Sequence, residues 1–133
     1  MATTDGDVVR ELVEHWKRGE FAPSQAHLDR DVVIVNQISG RSFEGHGGIR
    51  WLISDIDDAF AEWKLDVEEV LDVSDDRQLV VGRAVATGRK TGTELDRPLA
   101  FLFTLEDGLI ARIDAFPNRL DEAYAAAGLE RPA

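Results

Sequence analysis

The chain has 133 residues with 26 acidic and 15 basic side chains, a formal net charge of −11, and no cysteine. This charge disfavours nucleic-acid partners, whose binding depends on Lys and Arg neutralising phosphates, and the missing cysteine excludes disulfides and thiolate chemistry. The length predicts one domain over residues 1–133.

Two helices are predicted near the start of the chain. Residues 5–18 carry a stripe of apolar side chains at helical spacing, and Gly19 ends this helix. The stripe consists of Val8, Val9, Leu12, Val13 and Trp16. Residues 21–29 predict a short second helix, for which Ser24 is a possible cap.

The β-branched run over residues 31–37 predicts the first strand. Because the side chains of a strand alternate between its two faces, Asn36 shares a face with Ile34, and Gln37 lies on the other. A long helix follows over residues 45–60 and begins among glycines. Its apolar residues are Ile49, Leu52, Ile53, Ile56 and Phe60.

The second half of the chain predicts four strands and a final helix. The strands cover residues 64–73, 79–88, 99–105 and 109–116, and the helix covers residues 120–127. In the first of these strands, the period of two places Leu65 and Val67 on the same face as Leu71. An Asp-Gly pair predicts a tight turn between the last two strands.

This order of elements predicts an α+β fold, in which a curved antiparallel sheet of about four to six strands wraps around three helices as a cone. Such a cone leaves a cavity where small apolar ligands bind. The sequence contains no catalytic-triad or cofactor motif, and its three histidines lack the spacing of metal ligands. We therefore expect neither a cofactor nor a metal.

Residues 1–7 contain neither the basic region nor the apolar stretch of a signal peptide. No apolar run approaches the roughly 20 residues that a membrane helix needs. We therefore expect a cytoplasmic protein with no membrane partner.

Three stretches carry a resemblance to a known family. They are residues 43–49 (FEGHGGI), residues 97–110 with a strand, an Asp-Gly turn and a returning strand, and the ending over residues 118–129. Together with the opening helix that contains Trp16, their order and spacing resemble the SnoaL-like (polyketide-cyclase-like) branch of the nuclear transport factor 2-like superfamily. The resemblance spans nearly the whole chain and implies the cone fold.

The resemblance implies two classes of function, because the superfamily contains both enzymes and non-catalytic binding domains. The first is a domain that binds a small apolar or cyclic molecule in its cavity. The alternative is an isomerase, cyclase or dehydratase that uses a cavity carboxylate for proton transfer. The enzymes' carboxylate on the final strand aligns with Ala115, so the catalytic candidate is its neighbour Asp114. Asp114 faces the cavity only if a bulge turns it inward, and otherwise it forms a charge pair with Arg112 on the outer face.

Two polar residues are further candidates, for ligand binding. Arg83 matches the arginine of the superfamily's epoxide-hydrolase pattern, in which Val85 stands in the place of an aspartate. Arg83 either orients a ligand or pairs with a strand acid such as Glu68 or Glu69. Asn36 resembles the polar residue that helps to hold water in those hydrolases, and its amide can donate and accept hydrogen bonds.

Aromatic residues and one histidine complete the candidate site. Trp16 and Trp51 are predicted to contact a ligand, although core packing explains their spacing equally. Five more aromatic residues are candidates for the wall: Phe60, Trp63, Phe101, Phe103 and Phe116. His46 lies at a predicted helix start, where it either meets an anion or is simply exposed.

The resemblance also implies a homodimer that forms through the outer face of the sheet. Four apolar strand residues would support such a contact if no helix covers them. They are Leu79, Val81, Phe101 and Phe103.

Overall fold

The computed structural model describes residues 5–130, which form four α-helices and one six-stranded sheet. In chain order the elements are α1 (Asp5–Lys17), α2 (Phe21–Ser24), β1 (Leu28–Asn36), β2 (Ser42–Glu44), α3 (Gly45–Ala59), β3 (Phe60–Ser74), β4 (Arg77–Gly88), β5 (Glu94–Glu106), β6 (Leu109–Pro117) and α4 (Leu120–Ala127). The signal-peptide prediction concerns residues 1–7, of which residues 1–4 lie outside the described part. Within residues 5–130, no helix has the length and apolar character needed to cross a membrane.

Helices α1, α3 and α4 lie where the helical spacing predicts them, and every residue of the α1 stripe is buried. The second helix is shorter than predicted, because a 3₁₀ turn follows Ser24 and β1 already begins at Leu28. Leu28 pairs with Ile110 of β6, and this strand pairing outweighs the helical preference of residues 21–29 at their C-terminal end. The Ser24 hydroxyl donates to the carbonyl oxygen of Phe21, so the prediction that it caps a helix start was wrong.

The sheet is curved and does not close, and its strand order is β2-β1-β6-β5-β4-β3. All neighbouring pairs are antiparallel except β1 and β6, which run parallel. The predicted antiparallel sheet is therefore mixed, because β1 and β6 are joined by most of the chain and no hairpin forces them to run in opposite directions. In this pairing Asn36 lies opposite Ala115, and Val35 lies opposite Asp114.

Strand β3 bends because it carries extra residues relative to β4. Its register shifts at three places, and one of them lies between Val67 and Glu69. Val67 consequently packs on one face of the sheet and Leu71 on the other, so the prediction that these two share a face was wrong. Gly82 lies opposite the bulge, where an added Cβ would meet the carbonyl oxygen of Asp66 at 2.2 Å. The bulged backbone approaches β4 too closely for any residue with a side chain.

Each face of the sheet carries an apolar cluster. The concave cluster lies under α1, α2 and α3, and the convex cluster lies under α4. The fully or nearly buried members of the convex cluster are Leu79, Val81, Ala100, Leu102, Phe116, Ala123, Tyr124 and Ala127. Helix α4 is also held by polar contacts, since the Tyr124 hydroxyl donates to Glu69 and Arg77 donates to the carbonyl oxygen of Ala126.

The four apolar strand residues that were expected to support a dimer do not form an open surface. Leu79 and Val81 belong to the convex cluster beneath α4. Phe101 and Phe103 belong to the concave cluster beneath the other helices. All four are buried within the chain itself, because helices cover both faces where these side chains emerge.

Candidate functional site

A cavity of about 210 Å³ lies between the helices and the concave face of the sheet. Sixteen residues line it, and only Ser24 and Asn36 among them have polar side chains apart from the tryptophans. The apolar lining consists of Trp16, Phe21, Leu28, Ile34, Phe43, Ile49, Leu52, Ile53, Ile56, Trp63, Leu99, Phe101, Ala115 and Pro117. No ionisable side chain of the described chain lines this cavity, so it is suited to apolar molecules.

Rigid aromatic side chains form one wall of the cavity. The rings of Trp16 and Phe101 meet edge to face at 5.0 Å between centroids, and those of Phe21 and Trp63 lie 5.3 Å apart. Aliphatic residues of α3 at helical spacing form the opposite wall. Sequence reasoning correctly placed Trp16, Trp63 and Phe101 here but missed Phe21. Phe21 begins the four-residue helix α2, which is too short to give a periodic signal.

The polar groups near Trp16 are satisfied within the protein. The indole Nε1 of Trp16 donates to Ser24 Oγ at 3.0 Å, and the Ser24 hydroxyl in turn donates to the carbonyl oxygen of Phe21. Ser24 is buried, so these bonds remove the cost of placing a hydroxyl in an apolar wall. They also link α1 to α2.

Asn36 is the second polar residue of the lining. Its Oδ1 accepts the backbone N–H of Ile38 at 2.9 Å and that of Ser39 at 3.0 Å. The atom that receives two N–H groups must be the oxygen, and this fixes the orientation of the amide. Within the described residues, Nδ2 of Asn36 has no hydrogen-bond acceptor.

Asp114 lies on the convex face, away from the cavity, and is only 8% exposed. The Arg112 guanidinium donates to both carboxylate oxygens at 3.0–3.1 Å, and Gln37 Nε2 donates to Oδ1 at 2.7 Å. The hydrogen bond to Asp114 raises the pKa of Arg112, although burial opposes this change. The adjacent Ala115 lines the cavity instead. Strand β6 therefore directs the methyl group of Ala115 into the cavity and the carboxylate of Asp114 to the opposite face of the sheet.

Arg83 also lies on the convex face, because it shares that face of β4 with Val81. Its guanidinium pairs with Asp96 of β5, and this hydrogen bond is the main reason that its pKa is raised. The pairing of Arg83 with a strand acid, which the sequence offered as one alternative, is therefore confirmed, and the partner is Asp96 and not Glu68 or Glu69. Val85 lies on the same face and is exposed, so neither position of the expected pattern lines the cavity.

The remaining candidate residues lie outside the cavity. Trp51 is 63% exposed and borders a shallow groove beside Phe43 and Gly47. His46 Nε2 lies 3.0 Å from the carbonyl oxygen of Leu28, to which it donates. The structure therefore brings Asn36 and Trp16 together around one cavity and leaves Arg83, Trp51, His46 and Asp114 elsewhere.

Three more of the aromatic residues suggested for the wall also lie elsewhere. Phe103 is fully buried in the concave cluster, and Phe116 belongs to the convex cluster. Phe60 lies beside a separate pocket at the start of β3. Among residues 5–130, no group of three or more His, Cys, Asp or Glu side chains is positioned to hold a metal ion.

Comparisons with solved structures agree with this architecture. An NTF2-like protein of unknown function from Burkholderia pseudomallei is 20% identical over 91% of this chain and 95% of its own, with a TM-score of 0.78. A candidate SnoaL-like polyketide cyclase from Jannaschia sp. CCS1 is 18% identical over 95% of this chain and 93% of its own, with a TM-score of 0.75. TerC, co-crystallised with polyporic acid, is 16% identical over 90% of this chain and 95% of its own, with a TM-score of 0.77.

These identities establish the NTF2-like fold and nothing finer. No match was found among the curated proteins. The SnoaL-like domain family, however, matches residues 9–113, a span that contains the cavity-lining parts of α1, β1, α3 and β5. The chain belongs to the SnoaL-like domain family.

Proposed function

We propose that this protein binds a small apolar or cyclic molecule in the cavity between α1, α3 and the concave face of the sheet. The observation that carries the proposal is a cavity of about 210 Å³ whose lining contains no ionisable side chain. Transfer of apolar surface from water into such a site is favourable, and rigid aromatic walls suit ring-shaped ligands. The co-crystallisation of TerC with polyporic acid supports a small organic ligand for this fold.

The alternative function is an enzyme of isomerase, cyclase or dehydratase type with Asp114 as the proton shuttle. The name of the Jannaschia protein favours this alternative. A general base must lie within hydrogen-bond reach of the proton that it abstracts. Asp114 is bound by Arg112 and Gln37 on the opposite face of the sheet from the cavity. This geometry favours binding over proton transfer.

The binding proposal can be tested by filling the cavity. Ala115→Leu adds three carbon atoms to the wall, whereas Ala125→Leu makes the same change at an exposed position of α4. The probe is the neutral dye N-phenyl-1-naphthylamine, whose fluorescence rises in apolar surroundings. We expect saturable 1:1 binding by the natural protein and by Ala125→Leu, and binding at least about tenfold weaker by Ala115→Leu, because overpacking removes ligand space.

Two results would contradict the proposal: no saturable dye binding by the natural protein, or equal binding by both variants. Mass spectrometry of candidate ligands incubated with the natural protein separates the two functions. Turnover that is lost in Asp114→Asn would establish the enzyme instead.

The homodimer and the cytoplasmic location that the sequence suggests stay proposals. Helix α4 packs over β4, β5 and β6, which leaves the convex side of β1 as the surface for a second copy. Val33 and Val35 are half-buried there. Sedimentation velocity of the natural chain and of Val35→Arg tests this surface. We expect the natural chain to sediment as a dimer and Val35→Arg to sediment as a monomer.

A further inference from the structure

The apolar cavity shares part of its wall with a second pocket of about 270 Å³ beside the start of β3 (the polar pocket). Three side chains line both, namely Phe21, Ile56 and Trp63, and each of them is half-buried. Because the same side chains face both pockets, the partition between the pockets is one side chain thick.

The two sides of this partition differ in polarity. Four charged side chains line the polar pocket, of which Arg18 and Lys64 are basic and Asp57 and Glu62 are acidic. The cavity has no ionisable lining residue in the described chain. An apolar chain therefore gains free energy by burial on the cavity side, whereas a polar group is favoured on the other side.

Packing alone holds the ring of Phe21 in the partition. The ring lies 5.3 Å from that of Trp63 between centroids. The backbone on either side has its own hydrogen bonds, since the N–H of Glu20 donates to the carbonyl oxygen of His15 at 2.9 Å and the carbonyl oxygen of Phe21 accepts the hydroxyl of Ser24. Removal of the ring should therefore open the partition and leave the backbone of α2 in place.

We propose that Phe21 sets the length of the ligand that the cavity accepts. Its ring closes the cavity against the polar pocket, so the natural protein takes molecules whose apolar part fits within about 210 Å³. Without the ring, the two pockets form one site, in which a longer molecule places its far end in the polar pocket. This proposal rests on the function proposed above and adds the residue that limits the size of the ligand.

A series of straight-chain alcohols measures this limit. Butanol, hexanol, octanol and decanol are neutral and differ only in length, and calorimetric titration gives their affinities. As long as the added carbon atoms are buried, each step of the series should raise the affinity by about tenfold. We expect the affinity for the natural protein to stop rising within the series, because the chain then meets the ring of Phe21.

Two truncations of the same kind test the residue. Phe21→Ala removes a ring from the partition, whereas Phe60→Ala removes a half-buried ring that lines the polar pocket but not the cavity. We expect the affinity for Phe21→Ala to keep rising for at least one further alcohol, and the limit in Phe60→Ala to equal the natural one. If Phe21→Ala does not fold, Phe21→Leu replaces the ring by a smaller apolar side chain and should move the limit in the same direction.

A diol tests where the end of the longer chain lies. It has the length of the longest alcohol that Phe21→Ala binds more tightly than the natural protein does. In the polar pocket the second hydroxyl meets water and charged groups, so the diol should bind Phe21→Ala within about threefold of the alcohol. A chain folded inside the apolar cavity would bury that hydroxyl without a partner. Binding of the diol at least about tenfold weaker than that of the alcohol would therefore overturn the joining of the two pockets.

The possible results separate the two proposals. Failure of the dye and of every alcohol to bind the natural protein contradicts the proposed function itself. Three results overturn the role of Phe21 and leave the proposed function standing. They are dye binding without alcohol binding, an affinity for the natural protein that rises through decanol, and the same limit in the natural protein and the Phe21 variant.

Discussion

The two faces of the sheet are both apolar, yet only the concave one has the proposed ligand cavity. On the convex face, Ala100 of the sheet belongs to the same buried cluster as Ala123 and Ala127 of α4, and side chains this small let a helix approach the strands closely. On the concave face, aromatic rings and the long aliphatic residues of α3 hold the helices away from the strands. Side-chain size, and not hydrophobicity alone, thus separates a closed core from a binding site.

The same two faces differ in charge. The convex side carries the pair of Arg112 with Asp114 and the pair of Arg83 with Asp96. The cavity on the concave side has no charged lining residue in the described chain. Strand β6 shows the division at adjacent positions, with Asp114 on one face and Ala115 on the other. The four predictions below test this contrast.

Truncation of a buried side chain on the convex face should have the largest effect on the stability of the protein. Leu79 is completely buried in the convex cluster, so Leu79→Ala should lower the free energy of unfolding by about 2–5 kcal/mol. Leu52 is partly exposed in the wall of the cavity, so Leu52→Ala should cost clearly less while weakening ligand binding. Urea denaturation measures both variants. Equal losses for the two would show that the concave wall is as tightly packed as the convex core.

A carboxylate placed in the cavity should destabilise the protein as pH rises. In Ala115→Asp, burial in the apolar lining raises the pKa of the new carboxyl, by two units or more, which is about 3 kcal/mol at neutral pH. The folded state then holds a proton that the unfolded state releases, so stability is full below the ordinary aspartate pKa and falls above it. Unfolding of Ala115→Asp and of its control Ala115→Asn at about pH 4 and pH 7 measures the difference. A pH-independent difference between the two variants would mean that position 115 is open to water.

Removal of the convex charge should affect stability without affecting the cavity. Asp114→Asn takes a charged acceptor from Arg112 and Gln37 and should cost about 1–3 kcal/mol. Dye binding in the cavity should remain within about twofold of the natural protein, a range too small to reflect a lost contact. Denaturation and dye titration measure the two quantities. A large loss of binding with little loss of stability would instead connect Asp114 to the ligand.

Loss of the exposed ion pair between β4 and β5 should have the smallest effect on the stability of the protein. Arg83 and Asp96 have side chains that are 39% and 61% exposed, so solvent screens their attraction and Arg83→Gln should change stability only slightly. The pair raises the pKa of Arg83, so its contribution is present below the ordinary arginine pKa and is lost only above it. Thermal unfolding should therefore show the same small difference between about pH 6 and pH 9. A larger effect would point to a contact of Arg83 with a second copy of the chain.

Much of the architecture follows from local patterns in the chain. The helical spacing predicts α1 and α3, and the Asp107-Gly108 pair occupies the tight turn with the positive φ angles that such turns need. The period of two places Asn36 and Gln37 on opposite faces of the sheet, and it does the same for Ala115 and Asp114; in the structure Asn36 and Ala115 are the members of these pairs that line the cavity. These features depend on residues near one another in sequence, so the sequence alone is enough to predict them.

Other features depend on contacts between distant parts of the chain. The bulge in β3 exists because that strand must pair with β4 while bending, and it moves Leu71 to the face opposite Val67. The partner of Arg83 is set by the register of β4 against β5. The alternation of apolar and polar residues predicts which side chains of one strand share a face. It predicts neither the register of that strand against its neighbour nor the position of a bulge.

The sequence by itself therefore determined most of the elements, the α+β class, and the placement of Asn36 and Ala115 on the faces opposite to Gln37 and Asp114. Only the tertiary structure decided that Trp51 faces outward, that Phe21 joins the wall, and that the cavity remains open. The physical reason is that a cavity is the volume left when distant side chains cannot approach further, and this volume depends on the shapes of all of them together.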